Sequence, residues 1–261
     1  TGLFFQGSDY NIVQNNLIDN STQDNLALVQ SDHNLVEGNR FTRAAHTLWT
    51  IKCGSYNVLR NNYFNTQYQK IGEIYDCENA GYGDLGYPKL NSLDDTKYNV
   101  VEGNVFALTS TPVDASPYAG IQLAGQHTII RRNVFYHCIG PPIDLTLYAD
   151  EAKNDYGNKI YNNVFYDNQF GGISVSIDQG SGYKFLNNVC KNNVFYRNHF
   201  TRYDTRWDWY NTLSSKPVQI ITGRTKAIQF EKNDIFNSNS DELWTIALGS
   251  RTSSSNPAPH P

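Results

Sequence analysis

The sequence predicts an all-β solenoid of about eight stacked coils. Two observations carry this: an eight-fold repeat, and a repeat length that fits one coil of short strands. The repeat reads apolar, two residues, asparagine, one residue, then Phe or Ile. Its copies are Val13-Asn16-Ile18, Val36-Asn39-Phe41, Leu59-Asn62-Phe64, Val101-Asn104-Phe106, Ile130-Asn133-Phe135, Ile160-Asn163-Phe165, Cys190-Asn193-Phe195 and Phe230-Asn233-Ile235. Five residues before each central asparagine stands a polar residue, namely Asn11, Asn34, Asn57, Asn99, Thr128, Asn158 and Asn188, with Ile228 the exception. Repetition of this kind means stacked units sharing one core.

The first three copies are 23 residues apart, and the later spacings are 42, 29, 30, 30 and 40. A 23-residue unit is too short for a propeller blade or a helical-hairpin repeat, whose periods run roughly 33 to 45 residues. It suits three short strands and three turns. The copies are rich in Val, Ile, Phe, Tyr and Asn, and no stretch carries helical periodicity.

Stacking in register gives each repeated position a role. Side chains then lie about 4.8 Å above their counterparts, so asparagines pass amide hydrogen bonds along a column and phenylalanines fill the interior. Asparagine also tolerates the left-handed backbone of a tight corner. The outward residue before it runs Gln14, Glu37, Arg60, Glu102, Arg131, Tyr161, Lys191, Glu231, which sets opposite charges on several neighbouring coils.

A second strand precedes each asparagine segment, with apolar-in, polar-out alternation. It is predicted at Leu3–Gln6, Leu26–Val29, Trp49–Lys52, Gly72–Asp76, Ile121–Leu123, Ile143–Leu147, Ile173–Ile177 and Val218–Ile220. With a 23-residue offset, Val29, Lys52 and Tyr75 form one stack and Ala27, Thr50 and Glu73 another, followed by Gln122, Asp144 and Thr146.

Segments such as Asn57-Val58-Leu59-Arg60-Asn61-Asn62-Tyr63-Phe64 and Asn158-Lys159-Ile160-Tyr161-Asn162-Asn163-Val164-Phe165 resemble the right-handed parallel β-helix proteins of the pectate-lyase-like superfamily. The resemblance covers roughly residues 3–237. It implies a single right-handed parallel β-helix with long loops on one side, and it belongs to the scaffold more than to an activity. That fold hosts polysaccharide lyases, glycoside hydrolases, uronan epimerases, phage tailspikes and adhesins.

The domain reading is a β-helix over residues 1–250 and a Ser/Pro-rich tail over 251–261. The chain opens inside a coil with neither Met, signal peptide nor capping helix, which suggests a piece of a longer protein with its cap supplied elsewhere. A net charge of −4 and the lack of a long basic run argue against a nucleic-acid partner. No apolar stretch has membrane-spanning length. Low charge, abundant Asn, Tyr, Ser and Thr, and one Asn20-Ser21-Thr22 sequon fit a secreted or cell-surface protein. Of the four cysteines, Cys190 falls in a core position. Cys53 and Cys77 are 24 residues apart, which slightly misaligns them against the 23-residue period and disfavours a disulfide without excluding it.

The spacings exceed the 23-residue minimum by 19, 6, 7, 7 and 17 residues. The two longest insertions carry aromatic residues suited to sugar rings: Tyr82 and Tyr87 in one, with Arg206, Trp207 and Trp209 in the other. These are the expected substrate-binding residues, although Trp207 and Trp209 serve equally well as a core-sealing cap. On the preceding strand, Lys52 lies diagonal to Glu73, with Tyr75 and Gln122 close by. These four are the expected catalytic residues.

Eliminating a uronan's 4-O substituent needs a base for the C5 proton and a group that neutralises the carboxylate. The resemblance implies Lys or Arg as base and calcium held by exposed acids, here Asp76 and Asp144. A solvated Lys–Glu pair on a sheet face explains the same residues without chemistry. Hydrolysis would draw on Asp144, Asp150, Glu151 and Asp178, but the hydrolase and epimerase signatures of these folds are missing. His46, His127 and His137 lie near strand ends, where they can donate or accept protons, although a lone histidine at a turn is more often an ordinary surface residue. The favoured reading is an extracellular polysaccharide lyase acting on an acidic polysaccharide. Two alternatives stand beside it, a non-catalytic glycan-binding or adhesive module and a structural or assembly module, the last of which would make a homo-oligomer.

Overall fold

The computed structural model describes residues 1–65, 70–75, 96–107, 119–138, 141–147, 156–168, 172–177, 187–198, 220–222, 228–236 and 247–248. Every regular element among them is a β-strand, and none is a helix that could cross a membrane. The strands form three parallel sheets that wind as a parallel β-helix.

Sheet A has nine strands: β1 (Leu3–Gln6), β4 (Leu26–Val29), β7 (Thr47–Lys52), β10 (Lys70–Tyr75), β13 (Ala119–Leu123), β16 (Ile143–Leu147), β19 (Ile173–Ile177), β22 (Ile220–Thr222) and β25 (Ala247–Leu248). Sheet B has eight: β2 (Ile12–Gln14), β5 (Leu35–Glu37), β8 (Val58–Arg60), β11 (Val100–Glu102), β14 (Ile129–Arg131), β17 (Lys159–Tyr161), β20 (Asn188–Lys191) and β23 (Ile228–Glu231). Sheet C also has eight: β3 (Leu17–Ser21), β6 (Arg40–Ala44), β9 (Tyr63–Asn65), β12 (Val105–Ala107), β15 (Val134–Tyr136), β18 (Val164–Tyr166), β21 (Val194–Tyr196) and β24 (Asp234–Phe236). Each coil contributes one strand to each sheet.

The corner between sheets B and C is two residues long in all eight coils. Its first residue has positive φ every time, at Asn15, Gly38, Asn61, Gly103, Arg132, Asn162, Asn192 and Lys232. Its second residue is the repeated asparagine. The left-handed position is therefore the residue before the ladder asparagine, which corrects the expectation that the ladder residue itself takes that conformation. At Gly38 and Gly103 a Cβ would come within 2.6 and 2.7 Å of the Oδ1 of Asn15 and Asn61 in neighbouring coils.

The ladder asparagines satisfy one another. In Asn62 the Oδ1 accepts from the backbone N of Asn39 at 2.9 Å and from its Nδ2 at 3.1 Å. The Nδ2 of Asn62 donates to Val36 O at 2.9 Å and to Asn104 Oδ1 at 3.0 Å. The same pattern runs on through Asn133, Asn163, Asn193 and Asn233. Inside, Phe41, Phe64, Phe106, Phe135, Phe165 and Phe195 stack with ring centroids 4.6–5.1 Å apart. On the outer face of sheet B, Arg60 grips Glu37 through Nε at 2.8 Å and Nη2 at 3.1 Å, and Arg131 Nε donates to Glu102 at 2.6 Å. That row is structural, as its alternating charges predict.

Cys190 is fully buried in its core position. Burial pushes the Cys138 thiol up to about 12, so it is inert at ordinary pH. Cys53 is disulfide-bonded, against the expectation from spacing. The adjacent-coil cysteine considered as its partner, Cys77, lies outside the described residues, as does the tail.

Replacing Asn62 by Ala strands the buried amides of its neighbours. Asn62→Ala therefore costs about 1–3 kcal/mol in urea denaturation, and Asn16→Ala, whose side chain is exposed at one end of the column, costs less. Equal costs would contradict the ladder.

Candidate functional site

Sheet A differs from the other two in its surroundings. The B–C corner never lengthens, so every insertion enters or leaves sheet A, including residues 76–95, 108–118, 178–186 and 199–219. The long segments are thus attached along both edges of one sheet, as expected for a single binding side.

On that sheet the ladder register aligns Phe4, Ala27, Thr50, Glu73, Gln122, Asp144 and Ser174 in one row. A second row aligns Gln6, Val29, Lys52 and Tyr75. Both match the stacking read from the 23-residue offset. These positions alternate with the core residues Leu28, Ile51, Ile74, Leu123 and Leu145, so they point outward. Even so, Thr50, Glu73, Gln122 and Asp144 are each no more than 1% exposed. The solvated Lys–Glu pair expected for a bare sheet face is not what forms. A buried carboxylate is costly unless bonded or paired, so this covered polar row needs partners.

The partners come from two directions. Thr50 Oγ1 lies 2.8 Å from Thr47 Oγ1 and 3.4 Å from Glu73 Oε2, and its one proton goes to one of them at a time. Thr47 Oγ1 also donates to Asp24 Oδ1 at 3.0 Å. His46, at the turn into β7, sets Nδ1 2.7 Å from Asp24 Oδ1 and Nε2 3.5 Å from Glu73 Oε1. Its side chain remains 35% exposed, against 1% for Glu73. Of the two readings the sequence left for His46, a proton donor and acceptor or an ordinary surface residue, these contacts fit the first. At the other end of the row, Tyr75 OH donates to Gln122 Oε1 at 2.8 Å. Lys52 Nζ lies 5.5 Å from the centre of the Tyr75 ring, and both residues are half-buried.

The floor beneath is rigid. Trp49 packs against Gly72, where a Cβ would meet the indole at 2.1 Å. Glycine at position 72, opposite Trp49 in the strand register, leaves the room that the indole occupies.

The structure thus gathers the four expected catalytic residues, Lys52, Glu73, Tyr75 and Gln122, on three adjacent strands. Asp144 sits one strand beyond Gln122, but among the described residues no group of three or more His, Cys, Asp or Glu side chains could hold a metal ion. Asp76, Tyr82, Tyr87, Arg206, Trp207 and Trp209 lie outside the described residues, as do Asp150, Glu151 and Asp178. Sequence reasoning missed Asp24 and Thr47. The 23-residue offset between them was the available signal, since it places Asp24 next to Thr47 in the following coil.

The profile of the family described as "Right handed beta helix region" matches residues 1–85. No curated protein matches the chain. Among solved structures, the crystal structure of an alginate lyase from Paenibacillus sp. str. FPU-7 is similar, with 14% sequence identity, a TM-score of 0.49, and coverage of 85% of this chain and 78% of that one.

Burial pushes the Asp24 carboxyl up, but the hydrogen bond and charge of His46, the Thr47 hydroxyl and the Lys52 charge outweigh it and hold the group below its ordinary 3.8. A carboxyl lowered by folding stabilises the protein fully above its unfolded value, and that contribution fades as pH falls through the lower folded value. The stability gap between the native protein and Asp24→Asn is therefore largest above about pH 4 and shrinks on acidification. A gap independent of pH, measured by denaturation at a series of pH values, would contradict this.

Proposed function

We propose that this parallel β-helix protein is an extracellular polysaccharide lyase acting on an acidic polysaccharide. The observation that carries the reading is the Lys52–Tyr75 pair, half-exposed beside a buried polar row on the sheet that receives the insertions. A lyase needs a base and an acid on one side of a uronate ring, and these two groups supply them. Lys52, as the free amine, takes the C5 proton. The electron pair forms the C4–C5 double bond, the C4–O4 bond breaks, and the Tyr75 hydroxyl protonates the departing oxygen. Lys52 ends with one proton more and Tyr75 with one fewer, and exchange with solvent restores both. At rest the Tyr75 hydroxyl donates to Gln122 Oε1 at 2.8 Å, so that proton is turned to the departing oxygen only in the reacting complex.

The connections that leave and enter sheet A carry Tyr82, Tyr87, Arg206, Trp207 and Trp209. Aromatic rings and a cation at those points suit an anionic glycan lying along the sheet. Calcium at Asp76 and Asp144 is part of the proposal. The described residues supply only Asp144 of the six to eight oxygens such an ion takes, so no step above is routed through it. A disulfide at Cys53 supports an oxidising, extracellular setting.

A second reading is glycan binding without turnover. The near-complete burial of Glu73, Gln122 and Asp144 favours it, because such groups do not meet a ligand resting on the surface.

Incubation with a panel of acidic and neutral polysaccharides decides between them. Rising ultraviolet absorbance from unsaturated products supports the lyase, and binding without products supports the second reading. Lys52→Ala abolishes product formation and leaves Tm unchanged; activity surviving in that variant contradicts the assignment. Activity lost on chelation and restored by calcium supports the metal, and activity indifferent to chelator removes it.

A further inference from the structure

We infer that Asp24, His46 and Glu73 form a proton relay that connects solvent to the buried carboxylate at the centre of the row. The inference rests on the lyase reading for its purpose, but not for its test. Three observations assemble it. Asp24 Oδ1 lies 2.7 Å from His46 Nδ1, which places a proton on Nδ1 and turns Nε2 toward Glu73. The gap from Nε2 to Glu73 Oε1 is 3.5 Å, an ion-pair contact a few tenths of an ångström beyond hydrogen-bond length, so a small side-chain movement closes the link that passes the proton. His46 alone of the three spans the boundary, being 35% exposed where Asp24 is 13% and Glu73 1%.

The arrangement is built rather than incidental. The hydroxyls of Thr47 and Thr50 lie in line between the two carboxylates that flank the imidazole, each within reach of one carboxylate and of the other hydroxyl, and their two protons serve two of these three contacts at a time. The charged groups brought to His46 are Asp24 from the turn before β4 and Glu73 from β10, with the Lys52 charge from the end of β7 acting on Asp24.

Such a relay lies beside the amine of Lys52, which the strand register sets diagonal to Glu73, so it bears on the electrostatics around that amine. Asp24 and His46 act through Glu73 and are accordingly positioning residues.

The test is the nitrogen-15 spectrum of the histidine rings in the intact protein at neutral pH, assigned through His46→Gln. The expected result is a His46 Nε2 resonance of protonated or exchange-averaged type in the native protein. In Glu73→Gln it moves to the unprotonated type, while Nδ1 stays protonated. An Nε2 resonance identical in both proteins overturns the relay. Where Glu73→Gln does not fold, Glu73→Asp, which withdraws the carboxylate by one methylene, gives a smaller shift of the same sign, and no shift again overturns it. The spectra need no substrate, so a failed polysaccharide screen sinks the lyase reading and leaves this one standing. Where turnover is found, His46→Gln lowers kcat by about 100-fold with KM retained and displaces the pH profile. An unchanged pH profile denies the relay a part in catalysis.

Discussion

Register between coils is the constraint on which the rest of this molecule depends. Parallel strands carry no short hairpin to fix their alignment, and a slip of one residue would send every core side chain to the outside. The asparagine at the B–C corner prevents that slip. Its carbonyl oxygen accepts two bonds from the preceding coil, while its amide donates to a backbone carbonyl of that same coil and to the asparagine of the next. Only an aligned stack satisfies all of these groups at once, and a buried unsatisfied amide is expensive. The two-residue corner holds even where whole coils grow from 23 to 42 residues.

Because that corner cannot lengthen, added chain has gone to the other two. Sheet A is therefore the sheet that every added segment enters or leaves, and its outward row from Thr50 to Asp144 is buried. The consequence is chemical. Threonine, glutamate, glutamine and aspartate that would be solvated on a bare sheet are instead buried in a line, spaced by the strand separation and bonded to histidine, threonine and tyrosine at its rim. Burying such groups costs stability that an apolar row would not, which is the usual mark of a site kept for its chemistry.

Much of the fold was legible in the sequence because a solenoid writes its periodicity into the chain. Strand positions, the Lys52–Tyr75 and Thr50–Glu73 pairings and the charge alternation from Glu37 to Arg131 all follow from counting offsets of one coil. Three things did not follow. The left-handed residue at the corner was misplaced by one, because Asn15, Asn61, Asn162 and Asn192 put asparagine at both corner positions and hid which one bends. The burial of the polar row was invisible, since the alternation that marks an outward face does not say whether that face is covered. The partner of His46 was not legible, because it meets Glu73 across a 27-residue interval that the 23-residue offset does not mark. Contacts within the repeat are readable, and contacts made by turns are not.

The most direct test of the in-register stack is hydrogen exchange of the asparagine side-chain amides, followed by NMR. The account predicts slow exchange at Asn39, Asn62, Asn104, Asn133 and Asn163, each donating to both a backbone carbonyl and the next asparagine, with fast exchange at exposed Asn15 and Asn61. Rapid exchange at the five interior positions, indistinguishable from the exposed pair, would contradict it.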